Sequence, residues 1–296
     1  MKKTLQDLTI KDDFMFGAVM AEEENCRGLL ERVTGLSIGR VEISRERSLA
    51  YRPEYRGIRL DVYVKGEKNT RYNVEMQMVR KAALEKRARY YRSQMDMDLL
   101  LAGESYENLP DTYVIFICDF DLFGAGRYRY TFENCCLEDL NQKLKDGCRF
   151  IFLNTHGKNR EEVPGELVSF LEFVRADLKE SARDFQDEFV KQLQETIRKI
   201  KASRDMEERF MTLEELLRDT EKEAKAEGRA EGKAEGKIEG RAEGKAEGIL
   251  ELLEDKGSIS ERLRNRILAE KTPEVLKSWL KLAASAESVE QFEREM

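Results

Sequence analysis

The sequence predicts an α/β fold in which helices flank a mixed β-sheet, followed by a mainly α-helical C-terminal tail. Apolar runs typical of strands alternate with helical patterns along the first part of the chain. From about Val163 onward no good strand signal remains, and helical patterns continue nearly to the C-terminus. Charged residues make up 38% of the 296 residues, which is more than one compact domain usually displays. We therefore expect a sheet-containing domain with an extended, solvated appendage.

The strand-containing part follows the order helix, three strands, helix, strand. Residues 11–34 place apolar side chains at helical intervals, with Asp12 as N-cap and Gly35 as stop. The stretch "IGRVEISRERSL" alternates weakly, as a strand does, and residues 57–79 form two apolar strands joined by a polar turn. Residues 82–101 predict a helix. The nearly continuous apolar run "DTYVIFICDFDLF" predicts a central strand buried on both faces, and "CRFIFLNT" predicts a further strand.

The number and spacing of histidines and cysteines, and the absence of two sequence motifs, exclude several classes of site. His156 is the single histidine, which excludes two-histidine acid–base catalysis and most zinc hydrolase sites. The five cysteines are odd in number and show no C-x-x-C spacing, so neither a disulfide framework nor a thiolate zinc site is indicated. Neither G-x-S-x-G nor a P-loop motif occurs, and Gly124 and Gly126 indicate a turn. Any catalysis must therefore rely on carboxylates.

No targeting or membrane segment is apparent in the sequence. The N-terminal stretch "MKKTLQDLTIKDDF" lacks the apolar core of a signal peptide. The longest apolar runs, "LLLA" and "VIFIC", are far too short to span a bilayer. We therefore expect a cytoplasmic protein that does not contact membranes.

The net charge of −7 conceals a local concentration of positive charge. Residues 40–92 carry 15 Lys and Arg against 7 Asp and Glu, a local charge of +8, whereas the rest of the chain carries −15. A basic segment around a pair of acids is the charge layout expected of a site that holds phosphate and binds a metal. The alternative is a set of solvated charges on an ordinary surface.

The two strands of the hairpin bring two acids onto one face. Strand alternation places Leu60, Val62 and Val64 on one face of the first strand and Arg59, Asp61 and Tyr63 on the other. On the second strand, the apolar side chains lie on one face and Glu75 lies on the other. A three-residue loop centred on Lys68 pairs residues whose numbers sum to 136, as 61 and 75 do. Asp61 and Glu75 are therefore expected to be direct neighbours, with Cβ atoms about 4.5 to 5.5 Å apart.

Two carboxylates at that separation repel each other unless a cation lies between them. Mg²⁺ fits the gap, because it binds through one or two carboxylates and keeps water and substrate phosphate oxygens as its other ligands. The alternative is two acids on a solvated sheet face, with Arg59 and Arg71 moderating their repulsion.

Several stretches around these acids resemble one known family. Asp61 lies in "RLDVYV" and Glu75-x-Gln77 in "YNVEMQM"; "KDDFMFGAVM" precedes them and "RARYYRSQMD" and "VIFICDFDLFG" follow. In this order they resemble the PD-(D/E)XK nuclease superfamily, specifically its transposase-like branch of recombination-promoting (Rpn) nucleases. The resemblance covers about residues 8–180 and implies a restriction-endonuclease-like αβββαβ core.

The resemblance implies hydrolysis of DNA phosphodiesters that depends on Mg²⁺ or another divalent cation. Asp61 matches the first metal-binding acid and Glu75 the second. Gln77 occupies the position where the superfamily signature has lysine; it can orient a water but has no charge to stabilise hydroxide. Asp13, near the start of the first helix, matches the helical acid of many members, and a helix-capping role is the alternative.

Residues that flank the acids are candidates for contact with nucleic acid. On the helix after the hairpin, arginines can meet phosphates while Tyr90, Tyr91 and Gln94 can face the site, with core packing as the alternative for one tyrosine. Asp119 and Asp121 close the buried strand, where strand-end capping competes with metal ligation. The candidate nucleic-acid-binding residues are Arg59, Arg87, Arg89, Tyr91, Arg92 and Gln94.

Residues 226–248 repeat a four-residue unit of alanine, glutamate, glycine and a basic residue. Each of its six glycines costs roughly 0.8 to 1 kcal/mol relative to alanine in a helix interior. Like charges recur at i and i+4, so the pairing that stabilises charged helices is mostly absent. A helix that pairs with a second chain, a flexible linker and a nucleic-acid contact remain as alternatives, and the first predicts a homo-oligomer.

The predicted organisation has four parts. Residues 1–180 form the nuclease-like domain, 181–225 a helical connector, 226–248 the repeat, and 249–296 a module of two or three short amphipathic helices around Trp279. The functional expectation is a metal-dependent DNA endonuclease linked to recombination, mobile elements or defence. The competing hypothesis is a binding or assembly protein that keeps the fold without useful hydrolysis and works through its repeat.

Overall fold

The computed structural model describes residues 3–49 and 58–296. The chain divides into two compact units, Met1–Met211 and Thr212–Met296. In chain order, the first unit contains α1 (Asp13–Val19), α2 (Glu23–Thr34), β1 (Glu42–Leu49), β2 (Ile58–Lys65), β3 (Arg71–Gln77), α3 (Leu84–Leu99), β4 (Thr112–Cys118), β5 (Arg129–Phe132), β6 (Cys148–Asn154), α4 (Gly165–Arg175) and α5 (Glu188–Ala202). A long helix, α6 (Arg204–Glu254), follows α5.

The strands form one mixed six-stranded sheet in the order β1-β2-β3-β4-β6-β5. The pairs β1–β2, β2–β3 and β5–β6 are antiparallel, whereas β3–β4 and β4–β6 are parallel. The helix, three strands, helix and strand that the sequence predicts appear in that order, so the predicted restriction-endonuclease-like architecture is confirmed.

The sheet separates two apolar cores. On one face, side chains of β2 and β3 such as Val62, Val74 and Met76 pack with α1, α2, α4 and α5. On the other face, α3 packs on Phe116 and Phe152. Every residue of β4 is buried, as its continuous apolar run predicts for a central strand.

The single helix predicted over residues 11–34 is wrong, because the structure has two helices with a break between Val19 and Glu23. Glu23 and Glu24 lie in the first turn of α2, where the positive end of the helix dipole stabilises acids. Asn25 then donates its side-chain amide to the Val19 carbonyl oxygen at the end of α1 (3.0 Å). Asp12 precedes α1 and Gly35 ends α2 with a φ of 72°, as predicted.

The short strand β5 has no counterpart in the sequence prediction. It has only four residues, it is the outermost strand, and its side chains are half-buried or exposed, so it carries no continuous apolar pattern. The turn predicted at Gly124 and Gly126 is confirmed, and both residues have positive φ. The Asp121 carboxylate anchors this turn by accepting the N–H groups of Phe123, Gly124 and Gly126.

A buried polar cluster attaches α5 to α2. Asn25 is fully buried; its amide nitrogen also donates to Thr196 Oγ1 (3.1 Å), and its Oδ1 accepts the side-chain amide of Gln192 (2.8 Å). Nearby, a Cβ at Gly28 would lie 2.5 Å from the Phe189 ring, so glycine allows the two helices to approach closely. The range predicted as a connector therefore includes a helix that packs in the first unit's core.

The second unit contains the C-terminal part of α6, followed by α7 (Glu261–Ala269), α8 (Pro273–Ser285) and α9 (Val289–Glu295). Ile249, Ile267, Trp279 and Phe292 belong to its core, to which α6 and the three short helices all contribute. The four-residue repeat lies within α6. Ala242 and Ala246 near its end are buried in this core, whereas a Cβ at the glycines from 228 to 244 would meet nothing within 4 Å.

Among the residues that the structure describes, no helix combines the length and the apolar character needed to cross a membrane.

We predict that Asn25→Ala destabilises the protein by about 2–4 kcal/mol, because it removes the hydrogen bonds of a fully buried side chain to the Val19 carbonyl, Thr196 and Gln192. Urea denaturation measures the free energy of unfolding. The matched control is Asn108→Ala, at an exposed position, with an expected change within about 0.5 kcal/mol. Equal effects of the two substitutions would contradict the proposed role of the cluster.

Candidate active site

The turn between β2 and β3 sets the register that the sequence predicts. Residues 67–69 form one short helical turn, and the Gly66 N–H donates to the Thr70 carbonyl oxygen (2.9 Å). Val62 lies opposite Val74, and Lys65 lies opposite Arg71, so the numbers of paired residues sum to 136. The predicted hairpin register is confirmed.

Asp61 and Glu75 come together at the next step along the hairpin. The N–H of Asp61 donates to Glu75 Oε1 (3.2 Å), and the N–H of Met76 donates to Asp61 Oδ2 (3.2 Å). Each carboxylate therefore bonds to the backbone of the other strand. Regular pairing of β2 with β3 extends no further than Val62 and Val74 in the described residues, so side-chain bonds take over where backbone pairing stops.

The interruption in the pairing of β2 with β3 also changes the side of the sheet to which one residue of β2 points. Val62 and Val64 pack in the core on the α1 side of the sheet, as predicted. The prediction for Leu60 is wrong, because this residue packs with Tyr63 and Leu84 in the core beneath α3. Regular pairing of β2 with β3 ends at Val62, and side-chain bonds replace it at Asp61, so the simple alternation of faces is not kept from Val62 to Leu60.

The electrostatics of the pair favour an additional positive charge. Glu75 is only 4% exposed, and its burial raises the pKa of its carboxyl well above the usual range. The negative charge of Asp61 raises this pKa further, whereas the Asp61 N–H, the Asn73 side chain and the Arg87 guanidinium lower it. The site therefore disfavours two bare carboxylates, and a proton or a cation relieves their repulsion.

The donor set fits a hard divalent cation. Carboxylate oxygens on two adjacent strands supply the ligand type that Mg²⁺ prefers, and Mg²⁺ needs few protein ligands because it retains water. Asp13 is an exposed residue in the first turn of α1. Across residues 3–49 and 58–296, no group of three or more His, Cys, Asp or Glu is arranged to hold a metal ion. Asp13 therefore does not complete such a group with Asp61 and Glu75.

Gln77, the last residue of β3, is buried, and both ends of its amide are bonded. Its Nε2 donates to the Val79 carbonyl oxygen, and its Oε1 accepts a hydrogen bond from Arg87 Nη2. The bond to Arg87 was missed by sequence reasoning, which assigned Arg87 only to phosphate contact. Its signal in the sequence is weak, because the two residues lie ten positions apart on different elements.

Most of the other candidate nucleic-acid-binding residues lie on α3. Tyr91 is half-buried with its ring stacked on Phe116, and Gln94 is buried. Arg89 is exposed, whereas Arg92 pairs with Asp96 one turn further along (3.2 Å). The side chain of Arg59 lies outside the described residues. Contact of these residues with nucleic acid stays a prediction.

A second polar group lies at the same end of the sheet. Asp119 follows β4, and its N–H donates to the Gln77 carbonyl oxygen. Its carboxylate accepts the Thr155 hydroxyl (2.6 Å) and contacts His156 Nε2 (3.1 Å). These bonds join the ends of β4 and β6, in agreement with the strand-end role weighed from the sequence.

Comparison with known families gives a match. The model of the PD-(D/E)XK nuclease family transposases matches residues 10–227. Comparison with curated proteins gave no match, and comparison with solved structures also gave none. The matched range includes the whole hairpin, α3 and both acids.

We predict that Glu75→Gln stabilises the metal-free protein at alkaline pH. Because the folded state raises the pKa of Glu75 above its unfolded value, the wild-type protein loses stability as the pH rises from the unfolded through the folded pKa. Below the unfolded value the carboxyl is protonated in both states and this loss is absent. Glutamine stays neutral throughout, so the variant should melt several degrees higher near pH ~9 and similarly to wild type near pH ~4.

Thermal unfolding in the presence of a chelator measures this difference. Glu107→Gln, at an exposed position, is the matched control and should follow the wild-type pH dependence. A Glu75→Gln variant whose melting temperature stays parallel to that of the wild type across the pH range would contradict the electrostatic account.

Proposed function

The chain belongs to the PD-(D/E)XK nuclease family transposases, and we propose that it is a divalent-metal-dependent endonuclease that hydrolyses DNA phosphodiesters. The observation that carries the proposal is the pair of carboxylates that bond across β2 and β3. Family membership indicates nuclease chemistry, and the pair supplies a ligand set for the metal. A role in recombination or in the movement of mobile elements follows the family description and is part of the proposal.

Asp61 and Glu75 would hold the cation, and Mg²⁺ is the ion that we propose, with Mn²⁺ as a chemically similar substitute. When bound, the ion would polarise a phosphoryl oxygen and lower the pKa of a bound water. Hydrolysis joins the oxygen of a water to phosphorus and breaks one P–O ester bond. One proton of the water ends on the leaving hydroxyl, and the other passes to the phosphate monoester or the solvent.

The surroundings of the pair support a polyanionic substrate. The segment from residue 40 to 92 has a net charge of +8, and it includes β2, β3 and the first half of α3. Arg89 is exposed on α3 and available to a phosphate. Contacts of this kind hold the sugar–phosphate backbone without reading sequence, so we propose DNA binding with little base specificity at this surface.

A second candidate function is assembly through α6. Six glycines in one helix oppose helix formation by roughly 0.8 to 1 kcal/mol each, so a partner that buries this segment would offset the cost. The basic side chains at 229, 233, 237 and 241 are exposed, and the glycines leave open space beside them. Because glutamates alternate with these basic residues, a second copy of the same segment offers complementary charge.

We predict that purified protein nicks plasmid DNA when Mg²⁺ or Mn²⁺ is present and that chelation stops the reaction. Asp61→Ala and Glu75→Ala should each reduce the rate by at least about 10²-fold, because each removes a ligand of the ion. Gel analysis of supercoiled and nicked plasmid measures the rate. Glu107→Ala, at an exposed position, is the control and should retain activity.

Equal nicking by the wild-type protein and both acid variants would eliminate the proposed activity at this site. RNA and single nucleotides offered to the same preparation decide the substrate class. Cleavage of RNA alone would replace DNA in the proposal and leave the metal chemistry in place.

We predict that the full chain forms a homo-oligomer and that charge reversal in the repeat dissociates it. Replacing Arg229, Lys233, Lys237 and Arg241 together by glutamate leaves Lys245 as the single basic residue of the repeat, so a second copy finds almost no opposite charge. Sedimentation equilibrium measures the mass of both proteins. A wild-type monomer, or an oligomer that the four substitutions do not weaken, would exclude assembly through the repeat.

A further inference from the structure

The active site contains a positive charge that comes from α3. In the signature of the superfamily, a lysine follows the second acid by two positions, and this chain has the neutral Gln77 there. Arg87 reaches the same amide from the first turn of α3 and donates a hydrogen bond from Nη2 to Gln77 Oε1. A guanidinium therefore stands next to the position where the signature has an ammonium group.

The surroundings of Arg87 fix its direction. Its guanidinium carbon lies 5.1 Å from the centre of the Phe116 ring and 5.6 Å from that of Tyr91. The Arg87 N–H donates to the Ala83 carbonyl oxygen (3.0 Å), and Ala83 adopts a left-handed conformation with a φ of 58°. A non-glycine residue in this conformation costs free energy, so the packing of α3 must impose this start of the helix. Stacking and backbone together hold the guanidinium against β3.

The charge of Arg87 is not used for ordinary pairing. Within the described part of the chain, no carboxylate lies within ion-pair distance of its guanidinium, and its buried Nε makes no hydrogen bond. A half-buried arginine that served only the fold would be expected to pair with an acid.

We propose that Arg87 supplies the positive charge of this active site and that Gln77 is its positioning residue. This inference rests on the proposed nuclease function. Gln77 is itself oriented by the bond from its Nε2 to the Val79 carbonyl oxygen, so its Oε1 is presented to Arg87. The guanidinium then stabilises negative charge that grows on the phosphoryl oxygens during attack, and its planar donors suit a phosphate.

The test compares cleavage by variants at Arg87 and Gln77 in the full chain. Arg87→Met should lower kcat by at least about 10²-fold and change KM for DNA by less than about threefold, because the charge acts in the transition state. Arg87→Lys keeps a charge and should retain activity within about tenfold of the wild type. Lys86→Met, on the exposed side of the same helix, is the matched control and should leave kcat unchanged.

The decisive test is a double variant that removes the positive charge from α3 and places one on β3. Gln77→Lys combined with Arg87→Met should be at least about tenfold more active than Arg87→Met alone, since the ammonium then occupies the position of the signature lysine. Lost packing on Phe116 cannot explain such a recovery. If thermal unfolding shows that Arg87→Met does not fold, Arg87→Gln replaces it in both comparisons, because glutamine retains a polar end near Gln77.

The outcomes separate this inference from the function on which it rests. A wild-type protein that cleaves no nucleic acid with any divalent ion would remove the nuclease function and this inference with it. An active wild-type protein with an equally active Arg87→Met variant would overturn the role of Arg87 alone. An inactive double variant, in a protein whose fold is intact, would show that the missing element is not the charge.

Discussion

The reciprocal hydrogen bonds between β2 and β3 are the constraint on which the rest of the site depends. Asp61 and Glu75 each accept an N–H from the opposite strand, which anchors the half-buried Asp61 carboxylate beside the buried Glu75 carboxylate. Burial keeps their mutual repulsion strong, because little solvent is present to screen it. The fold thereby holds two acids at a separation that is unfavourable by itself and becomes favourable when a cation joins them.

The helix α3 completes the site on the face of the sheet that carries the side chains of Glu75 and Gln77. Leu84, Ala88 and Met95 bury one side of this helix, so its rotation is set by the apolar core. That rotation directs Arg87 to Gln77 and leaves Arg89 in solvent. Two arginines that are close in sequence thus take different positions because helical periodicity, rather than charge, assigns their direction.

Features determined by short-range patterns were predicted from the sequence, and those determined by tertiary packing were not. The register of the hairpin follows from the length of its turn, and the burial of β4 follows from its apolar run. The break before α2 depends on buried Asn25, and the position of Leu60 depends on interrupted pairing at Asp61. The bond between Gln77 and Arg87 requires knowledge of how α3 lies on the sheet, which no local pattern supplies.

Under the proposed function, the charges of the site give a reason for an arginine and a divalent ion to act together. Two ionised carboxylates and one guanidinium sum to a single negative charge, which opposes the approach of a phosphodiester. A divalent cation changes this sum to a single positive charge, opposite to that of the phosphodiester. Without Arg87 the metal-bound group would be neutral and would stabilise less of the negative charge that grows on the phosphoryl oxygens during attack. A lysine at position 77 in place of Arg87 would give the same net charge. The requirement is therefore for one positive side chain beside the two acids, and either β3 or α3 can supply it.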